Sequence, residues 1–248
     1  STTHHLNLAH GLAVSAIHKT VPDANIGTVI AMQPVVDWNK DSEGSARLDA
    51  LYNRAFTDPV LLGTYPELLR EELAPFVQNG DLETIHQPLD FFGLNHYTTM
   101  RARSAPGTAV GVEILPPPRE ISQTIKGWEI NPAMLHQQLL EFKNRYGNPP
   151  IYITENGCAS PDVLDADGRV SDPDRADYFR DYLSAASHAI EDGVNLKGYF
   201  AWSLLDNFEW AEGYTQRFGI VYVDYPTQKR IPKDSFYFLK NIYQNNEV

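Results

Sequence analysis

The chain has 248 residues, enough for one large domain or two small ones and for a substantial core. Its composition is that of an ordinary globular protein, 42% hydrophobic and 21% charged. A net charge of −12 argues against nucleic acid and anionic membranes as main partners, because both are bound through clustered Lys and Arg.

In chain order, residues 2–19 carry Leu6, Ala9, Ala13, Ala16 and Ile17 at helical spacing, with Thr2 or Thr3 available as N-cap. Residues 25–32, "NIGTVIAM", read as a strand buried on both faces. A capped helix is predicted over 41–56, then a Pro/Gly-punctuated loop. "LDFFGLNHY" (89–97) is the second strand, and 98–131 reads as a long irregular excursion with three prolines at 116–118. A helix over 131–147 closes on Gly147. "IYIT" (151–154) is the third strand, and 172–193 a helix with Asp172 as cap, Pro173 at N1 and Gly193 past its end. "LKGYFAWSLL" (196–205) is the last core strand, followed by a short strand at 218–225 and a helix at 233–245. Strands with little alternation, separated by helices, predict an α/β fold with a parallel sheet covered on its faces.

The single cysteine, Cys158, cannot form an internal disulfide, which fits a reducing compartment. No run approaches the roughly 18 apolar residues of a membrane span, and no signal-peptide pattern opens the chain. A cytoplasmic protein is expected.

Three strands end in unusual residues: Asn95-His96-Tyr97, Glu155-Asn156, and Trp202 followed by Asp206-Asn207-Phe208-Glu209-Trp210. Each alone could cap a turn or decorate the surface. Groups beyond the carboxyl ends of parallel strands form the binding crevice of α/β folds, so together they predict one cleft. Its chemistry suits a sugar. Pyranose faces stack on Trp, and hydroxyls are held by Glu, Asn and indole N–H. Glycoside hydrolysis needs a carboxylate within reach of the anomeric carbon, a role open to Glu155, and Tyr97 could hold it ionised and aimed.

The stretches "LDFFGLNHYT", "GWEINP", "YITENG", "WSLLDNFEWAEGYTQRFGIVYVDY" and "TQKRIPKDS" closely resemble the C-terminal half of the family 1 glycoside hydrolases, the β-glucosidases. The resemblance runs from about residue 3 to the end. It implies a (β/α)8-barrel type of fold, with residues 1–248 supplying about strands five to eight, a half barrel. It also implies that Glu155 is the nucleophile and Tyr97 its hydrogen-bond partner. Asn95 would lie near the 2-hydroxyl, Trp202 under the sugar, Glu209 and Trp210 on the distal hydroxyls, and Trp128 and Phe218 toward the leaving group. His96 stands where the family often has a second Tyr, a change read as neutral. No cofactor and no metal are expected.

A retaining glycosidase needs a second carboxyl group as acid/base, which the family carries in a Thr-x-Asn-Glu-Pro motif. Here no Asn-Glu-Pro occurs, and the Asn246-Glu247 pair lacks the proline. Glu209 and Glu129 are weak substitutes. The expected function is therefore a retaining β-glucosidase acting on unphosphorylated β-D-glucosides or oligosaccharides, with its acid/base supplied from outside these residues. A half barrel exposes unpaired strand edges, so the expected partner is the N-terminal half of the barrel, or a second copy. The alternative is a non-catalytic carbohydrate-binding or assembly fragment.

Overall fold

The computed structural model describes residues 1–248. In chain order its elements are α1 (Thr2–Thr20), β1 (Gly27–Ala31), β2 (Val35–Asp37), α2 (Ser42–Asp49), α3 (Ala55–Leu62), α4 (Arg70–Leu73), α5 (Asp81–Ile85), β3 (Phe91–Asn95), β4 (Met100–Ser104), β5 (Val112–Leu115), α6 (Pro132–Arg145), β6 (Ile151–Asn156), α7 (Pro173–Glu191), β7 (Leu196–Ala201), β8 (Val221–Asp224), β9 (Lys229–Pro232) and α8 (Asp234–Asn245).

The four expected core strands form one parallel sheet in the order β1-β3-β6-β7. One face is covered. Phe92 and Leu94 of β3 and Ile151 and Ile153 of β6 pack with Leu135, Leu139 and Phe142 of α6, Phe179 and Tyr182 of α7, and Leu239 and Ile242 of α8. Side chains alternate along a strand, so the intervening residues point the other way. There Phe91 meets Tyr152 with ring centroids 5.5 Å apart, and Tyr152 meets Phe200 at 6.5 Å.

That second face corrects one expectation. The end strands are not buried on both sides: Val29 of β1 is 51% exposed and Phe200 of β7 is 56% exposed. No element of this chain packs over them, and full burial of such side chains is worth roughly 1.5–3 kcal/mol each. β1 and β7 each pair with one neighbour in the sheet, so the sheet is open and no closed barrel is present. No helix is long and apolar enough to cross a membrane.

Other differences are local. The helix expected over 41–56 is α2, a π-helical turn at Ala50–Arg54, and α3, which runs past Pro59 and stops where Gly63 takes a left-handed conformation, φ 68°. The excursion at 98–131 holds the antiparallel pair β4–β5, with β2 added in parallel. The short strand expected at 218–225 is β8, which pairs antiparallel with β9 outside the four-stranded sheet. The expected helix stops are present, since Gly147 and Gly193 have φ of 74° and 84°.

Candidate active site

Glu155 and Asn95 are register partners on neighbouring strands, immediately after a shift in the β3–β6 ladder. A bulge re-aims side chains where pairing ends, and this one sits where β3 gives way to Tyr97. The Tyr97 hydroxyl donates to Glu155 Oε2 at 2.6 Å. Burial raises the Tyr97 pKa, and the Glu155 and Glu209 carboxylates raise it further, so the phenol keeps its proton and is the donor. Its backbone is fixed from β1's side. Gln33 Oε1 accepts from the amides of Tyr97 and Thr98 at 3.0 and 2.8 Å. Gln33 is buried and was not singled out from the sequence, although it too is a polar residue just past a strand end.

Below this pair, Asn156 is fully buried and ties three elements together. Its Nδ2 donates to the His96 carbonyl at 2.7 Å, and its Oδ1 accepts from the Tyr199 hydroxyl at 2.5 Å. His96 lies beneath the site, bonded through Nδ1 to Gln138 Oε1 at 2.8 Å. Burial pushes its imidazole down to about 4, so it is neutral at ordinary pH. Asn95 Oδ1 accepts from the Thr154 hydroxyl at 2.6 Å, beside Glu155.

The aromatic residues divide. Tyr97, Trp128 and Phe218 form one cluster, with centroid separations of 5.4, 6.2 and 6.0 Å. Phe218 is 0% exposed, so it backs Trp128 and Tyr97 and presents no surface of its own, contrary to the expectation that it faces a leaving group. Trp202 follows β7, its amide bonded to the Asn156 carbonyl at 2.9 Å. Glu209 is mostly buried, with its carboxylate 3.8 Å from Lys126 Nζ. Trp210 is 82% exposed and is not brought into contact with the cluster.

Of the weighed acid substitutes, Glu129 is removed by its surroundings. It is buried, accepts from Arg101 at 2.8 and 3.0 Å through both oxygens, and accepts from Asn131 at 2.9 Å. Sequence reasoning missed Lys126, which sits in a segment without periodicity.

Gly157 explains how the β6 and β7 ends come so close. A Cβ there would lie 1.9 Å from the Trp202 carbonyl oxygen, a backbone atom that cannot swing aside. Gly157→Ala should therefore force the Glu155 turn and the Trp202 segment apart, at a cost of roughly 1–3 kcal/mol. An unchanged denaturation midpoint would show that the approach is looser than this.

The glycosyl hydrolase family 1 model matches residues 1–248. The chain is 43% identical over 250 residues to β-glucosidase A of Thermotoga maritima, a match covering 98% of this chain and 56% of that protein. It is 42% identical to a bifunctional β-D-glucosidase/β-D-fucosidase of Bifidobacterium breve, covering 94% of this chain and 55% of that one. A solved Thermotoga maritima β-glucosidase in complex with azafagomine, a TIM-barrel protein, superposes with a TM-score of 0.91 at 42% identity, covering 99% of this chain and 56% of the other. The chain thus spans about half the length of these relatives, and it belongs to glycosyl hydrolase family 1.

Proposed function

We propose that this chain carries the nucleophile side of a retaining β-glucosidase that acts on terminal, unphosphorylated β-D-glucosides. The observation that carries the reading is the 2.6 Å hydrogen bond from Tyr97 to Glu155 at the carboxyl ends of adjacent parallel strands. Glu155 attacks the anomeric carbon and forms a covalent glycosyl-enzyme while the leaving-group oxygen takes a proton. Water then attacks the anomeric carbon and breaks its bond to Glu155, while the group that had given its proton to the leaving group, now a base, takes one from the water. Tyr97 holds Glu155 aimed along the line of attack. Asn95 meets the 2-hydroxyl, Trp202 stacks on the ring and Glu209 accepts from distal hydroxyls. Trp128, backed by Phe218, faces the leaving group. Trp210 reaches the sugar only if its exposed side chain turns inward.

The proton donor is assigned to a segment outside these residues. Glu129 is locked by Arg101, and Glu209 is committed to hydroxyl binding. Closure of the open sheet along β1 and β7, with a (β/α)8 barrel as the result, would bring that donor opposite Glu155 and cover Val29 and Phe200. A single carboxylate at Glu209 disfavours a sugar phosphate, which wants several N–H or O–H donors around it.

The chain should be mixed with a polypeptide spanning the part of the Thermotoga maritima relative that it does not match. Cellobiose cleavage should then appear at a rate at least about a hundredfold above either piece alone, since general acid help is typically worth 10²–10⁴. Steady-state cellobiose cleavage by the pure chain would sink the assignment of the acid to another segment. The exposed apolar residues on β1 and β7 favour a second reading, an assembly piece without turnover of its own; a stable mixed complex with no activity would select it.

A further inference from the structure

Lys126 lies on the segment between β5 and α6, two residues before Trp128, with its side chain only 13% exposed. Its ammonium sits 4.6 Å from the Trp128 ring centroid and 5.5 Å from that of Phe218. The nearest carboxylate oxygen, Glu209 Oε1, is 3.8 Å away, beyond hydrogen-bond distance. The ammonium is thus held by ring faces and a loose ion pair, with no protein acceptor for its three protons. Its N–H donors are left to water or to a ligand, because a half-buried cation is costly unless it is hydrogen-bonded as well as paired. The cation–π contact offsets part of that cost and supplies no acceptor.

We infer that Lys126 is a specificity-determining residue that reads an anionic group, a carboxylate, on the leaving group of the substrate. This rests on the proposed assignment of Trp128 to the leaving-group side and of Glu209 to sugar hydroxyls. When a sugar draws the Glu209 carboxylate to its own hydroxyls, Lys126 loses part of its ion pair. A ligand acceptor can then take the place of water on the ammonium. A neutral hydroxyl can accept one proton, whereas a carboxylate meets both the charge and the geometry with a charge-assisted bond about twice as strong. The same cleft restricts where that anion can sit. Glu209, 3.8 Å from the ammonium, repels an anion on its own side, which leaves the Trp128 side of Lys126 as the place for the carboxylate. Lys126, beside Trp128, is the cation the leaving-group side offers. Recognition of a carboxylate on the aglycone is therefore distinct from recognition of a phosphate on the sugar.

The test is equilibrium binding, by tryptophan fluorescence or calorimetry, of two non-hydrolysable ligands to the 248-residue chain. They are 4-carboxyphenyl 1-thio-β-D-glucoside and its 4-hydroxymethylphenyl twin. The carboxylate ligand should bind about tenfold more tightly, the size of one partly exposed charge-assisted hydrogen bond. In Lys126→Met the ratio should fall to about one, and Lys126→Arg should restore most of it. Equal binding of the two ligands, binding of neither, or a preference that survives in Lys126→Met overturns the inference. So does tighter binding of the 6-phosphorylated thioglucoside, which would place the anion on the sugar. Hydrolysis of the matching O-glucosides by the complemented protein is a separate readout. A Lys126-dependent preference without turnover would sink the glucosidase reading and leave this one standing.

Discussion

Glu155→Gln in the complemented protein is expected to lower the rate of aryl β-glucoside hydrolysis by at least about 10³-fold, the scale seen when a covalent nucleophile is removed. The substitution is matched in size, and its amide oxygen can still accept from the Tyr97 hydroxyl, now 2.6 Å from Glu155 Oε2. The strand end should therefore keep its shape, and circular dichroism and the unfolding midpoint should match those of the parent. What is lost is the negative charge that traps the oxocarbenium-like transition state and the oxygen that bonds to the anomeric carbon. A 2-fluoroglycoside with a good leaving group should accumulate as a covalent adduct on the peptide containing residue 155 in the parent and not in the variant. Retention of more than about a tenth of the parent rate, in a folded variant, would remove Glu155 from the role whatever the family pattern suggests.

The part of the site that was legible in the sequence is the part carried by strand ends. β3, β6 and β7 announce themselves through apolar, β-branched and aromatic runs, and a polar residue that breaks such a run is visible without any tertiary information. Asn95, Tyr97 and Glu155 were found in that way, and the structure sets Tyr97 against Glu155. Periodicity carries no signal in irregular segments, so Lys126 and its place over Trp128 went unseen. Burial was misread where it depends on what covers a strand. "GTVIA" and "LKGYFA" have the composition of doubly buried strands, yet Val29 and Phe200 face open space, because composition reports what a strand can bury and not whether a partner is there. Phe218 shows the converse. Its position in a resembling motif suggested a ligand contact, while packing against Tyr97 and Trp128 encloses it.

Least legible of all was the ion network behind the site, because its members are far apart in the chain. Asp162, Asp172 and Asp206 face Arg175, Lys233 and Arg217, three carboxylates against three cations. Arg175 is at its centre and fully buried. It donates to both oxygens of Asp162 at 3.1 and 2.9 Å, to Asp172, to the Cys158 carbonyl at 3.1 Å and to the Arg217 carbonyl at 2.8 Å. Lys233 completes the group, donating to Asp162 at 2.5 Å and to Asp206 at 2.8 Å. The Cys158 carbonyl belongs to the turn that follows Glu155, and Arg217 immediately precedes Phe218, so this one guanidinium joins the Glu155 turn to the wall behind Trp128. Arg175→Met keeps much of the volume but strands the Asp162 charge on Lys233 alone, leaves the Cys158 carbonyl without a donor and leaves the Arg217 carbonyl only the Ser160 amide at 3.3 Å. Removing one member of a buried pair costs about 3–5 kcal/mol, because the partner remains charged and desolvated. For a chain of this size each kcal/mol moves the midpoint by roughly 2–4 °C, so Arg175→Met should unfold roughly 6–20 °C below the parent. Arg180→Met is the control on the same helix. Arg180 and its partner Asp177 are about half exposed, and such a pair is worth about 0–1 kcal/mol. Thermal denaturation of the two variants side by side should separate them clearly. Equal small shifts would mean that the buried network is easily replaced by apolar packing, and that the geometry of the Glu155 turn is held by Gly157 and Asn156 without it.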